Sequence, residues 1–423
     1  MESVGLGRGS NSAQLRRYNE RLVLQRLRRA GEASKADLAR AADLTNTAVG
    51  AIIQKLEGLG LIEAVGKRHD GGRGQPATML RLNPKGAYGI GVRLDRRLTE
   101  TILIDFDGHA MARRAYDIVL PRPDKALDMV ERDIRDLLAL LDRSERDRFA
   151  GIGLAQPYNL GAWLGRLDLP TDTFSLWEDF DFAARLEERI GLPVFAENDG
   201  NAAAIAELFY GVGRRADDFF YLFIGPAIGG GIVVDGDCLR GSLGNAGDVA
   251  VIPVAPSRLA SAPQSADGRE LLITRASLNA LGRHLQHNGV PTASASEMEA
   301  AFAKGHPAVC EWLDDAVDAL APALWTAFAL LDVPLLVVDA DIDGGLVDAL
   351  IGRLGAALAE QAPEARRPPR ILHGSFGRDA GAIGAASLPM FFSFSPRASI
   401  LTRGGDERDM IAATAPGGAR AGE

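Results

Sequence analysis

Cysteine is nearly absent from the 423-residue chain: Cys238 and Cys310 stand alone and far apart. Two thiols in no ligand spacing exclude a disulfide framework and a cysteine-built zinc cluster. Histidine is as thin. Six residues are scattered without paired spacing, so none is assigned a catalytic or metal-holding role, and no metal or cofactor is expected. No apolar run is long enough to span a bilayer, and the polar, arginine-bearing N-terminus lacks a signal-peptide core. The expected compartment is the cytoplasm, with no membrane partner.

What is present is globular in character. Hydrophobic residues make up 47% and charged residues 24%, and the length exceeds one ordinary core, which points to two or three domains. Charge is unevenly shared. Residues 1–85 carry 15 Lys+Arg against 8 Asp+Glu, a net of +7, and the remainder carries 32 against 48, a net of −16. A basic head on an acidic body implies that the head meets a polyanion.

The head reads as three helices and a hairpin. After a Gly- and Ser-rich tail (1–15), Leu22, Val23 and Leu27 fall at helical spacing, with Arg21, Arg26, Arg28 and Arg29 on other faces. Ser34 with Asp37 three residues later predicts a capped second helix through Ala41, and Thr45 predicts the N-cap of a third. Two helices joined by such a tight turn form a helix-turn-helix, in which Asn46, Thr47 and Gln54 of the third helix would meet base edges. Leu61–Val65 and Thr78–Leu82 read as strands around a Gly-rich tip, a wing whose Arg73 and Gln75 would lie along the minor groove. A helical dimerisation module with a Gly-rich linker is the competing reading; the basic balance, the cap spacing and the wing favour double-stranded DNA.

The body, 86–392, alternates strands and helices twice. Tyr88–Leu94, Glu100–Phe106 and Ala115–Leu120 read as strands, then helix Lys125–Leu141, strand Phe149–Ala155, helix Asp181–Ile190 and strand Leu192–Ala196. Strands Asp218–Ile224, Ile228–Val234, Pro334–Asp339 and Arg370–His373 begin the pattern again, which predicts a two-lobed α/β body with a cleft between lobes at about 86–212 and 213–392. Residues 393–423 read as a disordered tail. Between the halves lies Glu197-Asn198-Asp199-Gly200-Asn201, a polar corner between strand and helix, placed where α/β sheets hold ligands. An Asp beside an Asn suits sugar hydroxyls; equally, either residue caps the following helix.

Several segments together resemble the ROK family of repressors, open reading frames and sugar kinases. They are Ser34–Arg40, Leu44-Thr45, Leu56–Ile62 and Gly72–Pro76 in the head, then Glu197–Ala203, Gly225–Ile232 and Asp235–Gly247 in the body. The resemblance implies a winged helix-turn-helix on an actin-like, ribonuclease-H-like body. It implies that Asn198 and Asp199 hold sugar hydroxyls, that Glu197 and Asp248 belong to the same ligand site, and that Asp199 is the relic of a kinase base. The departures argue against phosphoryl transfer. The first phosphate motif appears as Gly91-Val92-Arg93-Leu94-Asp95, a Thr-Gly pair as Pro226-Ala227, and the late Gly-Gly as Asp339-Ala340. Val251 stands where the family has a histidine, and the Ser265–Glu270 region has no cysteine for the family's zinc. Asp248 either reaches a ligand or satisfies a turn. Trp163, Phe174 and Trp177 flank Asp168–Asp172, as a sugar-stacking wall or as core.

The resulting expectation is a non-enzymatic DNA-binding regulator, a repressor of sugar genes. It senses a sugar in a degenerate cleft and acts as a homodimer or higher homo-oligomer on a palindromic operator. Two rivals stay open: a sugar kinase with an appended DNA-binding head, and a regulator whose body is only a dimerisation or protein-partner scaffold.

Overall fold

The computed structural model describes residues 12–68, 76–161, 174–263, 268–292, 294–342 and 344–402. Helix α1 (Ser12–Ala30) starts inside the segment expected to be a tail. Val23, Leu24 and Leu27 are fully buried along it. β1 (Glu32–Ser34) leads to α2 (Lys35–Ala42), where Ser34 and Asp37 form the capping box in both directions. Thr45 Oγ1 accepts from the Ala48 amide at 3.2 Å and opens α3 (Asn46–Gly58), whose Val49, Ile52, Ile53 and Leu56 point into the core. β2 (Ile62–Arg68) and β3 (Ala77–Leu82) pair antiparallel, and β1 adds to the far side of β3. The wing tip with Arg73 and Gln75 lies outside the described residues.

The body holds two five-stranded sheets of one design. β4 (Tyr88–Leu94), β5 (Thr99–Ile104), β6 (Ala110–Tyr116), β7 (Phe149–Gln156) and β8 (Val194–Asn198) form a sheet in the order β6-β5-β4-β7-β8. β9 (Phe219–Ile224), β10 (Ile228–Val234), β11 (Asp237–Cys238), β14 (Leu335–Ala340) and β15 (Arg370–His373) repeat it as β11-β10-β9-β14-β15. In each, the first three strands are antiparallel and the last two run parallel to the first. The two-residue strands β12 (Pro253–Val254) and β13 (Glu270–Leu271) pair separately in the second lobe. Among the described residues the longer helices are α4 (Pro123–Ala139), α5 (Phe182–Ile190), α6 (Asp199–Phe209), α7 (Leu278–His287), α8 (Ala295–Ala303), α9 (Pro307–Leu331), α10 (Gly344–Glu360) and α11 (Ala380–Phe394).

Two sequence expectations are corrected. The third strand is Ala110–Tyr116, not Ala115–Leu120, because the turn at Asp107-Gly108 returns the chain at once along β5. That strand is an edge with exposed polar positions, and Ile118 and Val119, which suggested a strand, are 43% and 42% exposed. The tail expected from 393 is helical to Phe394 and turns once more over Ser399–Thr402. Phe394 is held there by edge contact with Phe106, ring centres 4.9 Å apart.

The lobes exchange helices. α6, which ends the first half, packs on β10 of the second sheet, while α11, which ends the second half, packs on β4 and β7 of the first. The helices also pack on each other, forming the floor of the interlobe cleft. Glycine makes this possible: a Cβ on Gly200 would stand 2.3 Å from the Gly230 carbonyl oxygen, and one on Gly231 would stand 2.5 Å from Ala204 Cβ. Part of the Gly-rich run 229–231 thus serves helix-on-strand contact.

Candidate ligand cleft and DNA-reading head

The corner between β8 and α6 unites the two readings proposed for it. Asn198 is the N-cap of α6, its Oδ1 accepting from the Gly200 amide at 2.9 Å, and Asp199 Oδ1 accepts from the same amide at 2.8 Å. Both residues also line a cleft of about 400 Å³ between the lobes. Capping and cleft-lining are therefore two uses of the same side chains, since the first turn of α6 faces the opening.

A chain of amides crosses the cleft wall. Asn198 Nδ2 donates to Asn245 Oδ1 at 3.1 Å, and Asn245 Nδ2 donates to Asp248 Oδ2 at 2.9 Å. Each amide has two N–H groups, so each keeps a donor beyond the one in this chain. Alternating donors and acceptors on one wall match the vicinal hydroxyls of a polyol. Burial, with Asp95 next in effect, raises the Asp199 carboxyl above its ordinary range against the Gly200 amide, Arg93 and Arg96. Burial likewise raises Asp248 against hydrogen bonds from Asn245 and the Ala250 amide. Asn245 was missed as a site residue because only folding brings the Gly244–Gly247 turn against Asn198.

Charge occupies the opposite side. The Arg93 side chain, 6% exposed, reaches Asp341 of the second lobe at 3.5 Å and Asp95 at 3.6 Å, and Nη1 donates to the Arg378 carbonyl at 3.4 Å. It lies against the start of α11, where a Cβ on Gly381 would be 2.7 Å from Arg93 Cδ and Nε. A helix N-terminus favours anions, and here a guanidinium fills the space beside it. Across the cleft the Gly225 amide donates to the Ala227 carbonyl at 2.8 Å, and Pro226 has no amide to offer.

Several expected residues lie elsewhere. Glu197 does not face the cleft: strand alternation turns it to the far side of β8, where it is buried and paired with Arg240. Burial there pushes its carboxyl up to about 7, with Arg240 opposing. Asp339, expected near a nucleotide, is wholly buried; it accepts from the Gly377 amide at 2.8 Å and from Tyr221 Oη at 3.4 Å. Phe174 and Trp177 are core residues of the first lobe, with Trp177 Nε1 donating to the Pro121 carbonyl. Trp163 and Asp168–Asp172 lie outside the described residues, as do Ser265–Asp267. Among the described residues the aromatics at the cleft wall are Phe223 and Tyr158, the latter 55% exposed. Beside the segment lacking cysteine, Arg275 ties loop to helix, donating to the Ala255 carbonyl at 2.9 Å and to Asp315 Oδ1 at 2.7 Å.

In the head, Asn46, Thr47 and Gln54 are all exposed on α3, with Asn46 and Thr47 in its first turn. Arg68 at the end of β2 pairs with Asp37 at 3.1 Å. Arg21 and Arg28 are buried against the body, so the basic excess of the head is not all available to a polyanion.

A winged helix-turn-helix on a duplicated two-lobed body with an interlobe cleft defines the class of the molecule. The chain belongs to the ROK family, whose sequence pattern matches residues 89–390, and residues 17–86 match the pattern of a winged helix DNA-binding domain. An uncharacterized protein of Sinorhizobium fredii is 29% identical over 378 residues, 89% of this chain and 91% of that protein. The xylose repressor of Bacillus subtilis is 24% identical over 235 residues, 56% of this chain and 60% of the repressor. Among solved structures, a ROK family transcriptional regulator, a homolog of the E. coli MLC protein, superposes with a TM-score of 0.66 at 23% identity, covering 89% of this chain and 96% of its own. A ROK family glucokinase from Streptomyces griseus, in complex with glucose and AMPPNP, gives 0.55 at 20% identity over 71% of this chain and 99% of its own. At these identities the structural matches speak to the fold.

Proposed function

We propose that the protein is a DNA-binding transcriptional repressor whose cleft senses a sugar or sugar derivative. The observation that carries this reading is the amide chain Asn198–Asn245–Asp248 beside Asp199, a wall built for hydroxyls, in a chain that begins with a winged helix. The xylose repressors supply the comparison for the repressor role. The head reads an operator through Asn46, Thr47 and Gln54, with Arg73 and Gln75 proposed at the wing tip, and two copies on neighbouring half-sites make a homodimer the working state.

The same reading makes the protein a non-enzyme. Arg93 fills the space beside the start of α11, and the Gly225–Ala227 turn closes its own amide bond, which supports the reading that this cleft does not position a triphosphate. Calorimetry with ATP is expected to give no heat of binding. The main test uses a DNA duplex selected from a random pool and fluorescence anisotropy: D-xylose, D-glucose or N-acetyl-D-glucosamine is expected to change its affinity. Silence across a broad panel of sugars and sugar phosphates would leave the body without the sensing role.

A further inference from the structure

Three arginines of α1 leave the head and enter the body. Arg21 Nη1 donates to the carbonyls of Phe392 and Ser395 at 3.2 and 3.3 Å, at the C-terminal end of α11 where a cation is favoured. Arg29 Nη1 pairs with Asp217 Oδ2 at 3.0 Å. Arg28 is different. It is 4% exposed, and its guanidinium carbon lies 3.5 Å from the centre of the Phe209 ring and 5.3 Å from that of Phe106. Among the described residues its Nε and Nη2 have no hydrogen-bond partner. Burial lowers the guanidinium to about 10, with Tyr210 and Asp107 opposing the shift and Arg214 adding to it. Ring faces offset only part of the desolvation of a guanidinium, so this is a seat that holds its occupant loosely.

The two rings belong to different parts of the molecule. Phe106 lies under the head–body connection: its amide donates to the Pro84 carbonyl at 2.9 Å, and its ring would be 3.3 Å from a Cβ on Gly86. Phe209 is the last residue of α6, and the first is Asp199 in the cleft. Eleven helical residues make a rod about 16 Å long. After Gly200 it contains no glycine or proline to bend it.

We propose that Arg28, seated between Phe106 and Phe209, couples occupancy of the cleft to the pose of the DNA-reading head, with α6 as the connecting rod. The inference rests on the reading of the cleft as an effector site. Contacts at Asn198 and Asp199 shift the start of α6, and Phe209 moves with it against Arg28. With no carboxylate pinning its Nε and Nη2, the guanidinium exchanges the ring face for solvent, and α1 pivots at Pro84–Gly86. A ligand drives this by binding one of the two poses better than the other.

Arg28→Met keeps a long apolar side chain in the seat and removes its charge; Phe209→Leu keeps the core apolar and removes the ring face. Anisotropy on the selected duplex, with full-length protein and D-xylose, D-glucose or N-acetyl-D-glucosamine, reads the coupling. The effective sugar is expected to change wild-type affinity about fivefold or more, and that of either variant by less than about twofold. Arg28→Met is expected to bind the duplex without sugar and to melt no lower than wild type. A sugar response of wild-type size in both variants overturns the coupling role. So does Arg28→Met that melts lower or no longer binds DNA, which marks Arg28 as an anchor only. A wild type that answers no sugar removes the effector reading itself, and this inference with it.

Discussion

Arg93 of the first lobe and Asp341 of the second meet at 3.5 Å across the cleft, and the same guanidinium holds Asp95 of its own lobe at 3.6 Å. The closure of the lobes on this side is therefore made by a side chain of the protein. Asp341 and its neighbours raise Arg93 above its ordinary range even though burial pulls the other way. Arg113 repeats the motif further along, joining Glu100 at 3.0 Å to Asp379 of the second lobe at 2.8 Å.

Arg93→Ala is expected to lower stability by about 3 kcal/mol, the low end for breaking a buried pair because both acids keep some exposure. Thermal unfolding of the variant checks it. A melting temperature equal to wild type would mean that the clasp does not hold the lobes.

Glu197 predicts a pH dependence. Its carboxyl is raised from 4.5 to about 7 by burial, so the folded chain binds the proton more tightly than the unfolded chain. This contribution is full below about 4.5 and declines as pH rises through about 7. Glu197→Gln is expected to flatten the stability profile across that window and to gain on the order of 2 kcal/mol relative to wild type above it. Denaturant unfolding at pH 5 and pH 8 decides; equal differences at both would reject the account.

Gly200→Ala places a Cβ 2.3 Å from the Gly230 carbonyl. Overpacking of a backbone contact is expected to cost about 1–3 kcal/mol. Because the contact seats α6 in the cleft floor, the variant should also lose its response to sugar. A stable, responsive Gly200→Ala protein would show that α6 has room to move aside.

In the head, Thr45→Ala removes the cap of α3 and is expected to cost about 1 kcal/mol. Asn46→Ala should leave stability unchanged and cost about 1–3 kcal/mol of discrimination at one base position. Competition binding with single-base variants of the selected duplex separates the two effects; uniform weakening for Asn46→Ala would assign it to the phosphates.

Asn245→Ala breaks the link between Asn198 and Asp248. It should keep the fold and weaken the sugar effect on DNA binding by roughly tenfold in sugar concentration, about the 1.4 kcal/mol of one good hydrogen bond. An unshifted midpoint in a sugar titration would place the ligand away from this wall.

Local chemistry was the legible part. The Ser34–Asp37 box, the Thr45 cap and the strands Tyr88–Leu94 and Ile228–Val234 follow from side chains and periodicity within a few residues. Asn198 and Asp199 were legible for the same reason, standing where a strand becomes a helix. What escaped was set by distant partners. Glu197 adjoins them in sequence but faces away, because neighbours on a strand point to opposite sides. Asp339 looked like an obstacle to a nucleotide and is instead a buried acceptor for Gly377 and Tyr221. Asn245 and Arg93 acquired roles only when the second lobe closed on the first. The arginines of α1 read as charge for DNA, yet Arg21 and Arg28 are enclosed by Phe392, Ser395, Phe106 and Phe209, residues far along the chain, the most distant of them 374 positions on.

The first helix is shared property, and this limits how the molecule can be recombined. Its apolar face belongs to the reading head, while Arg21, Arg28 and Arg29 belong to sockets in the body. A graft cut at the head–body connection would carry three cations away from their sockets and leave an aromatic pit open on the recipient. Specificity for a new operator is better transplanted as α3 and its wing alone, with α1 left as the graft's native rootstock.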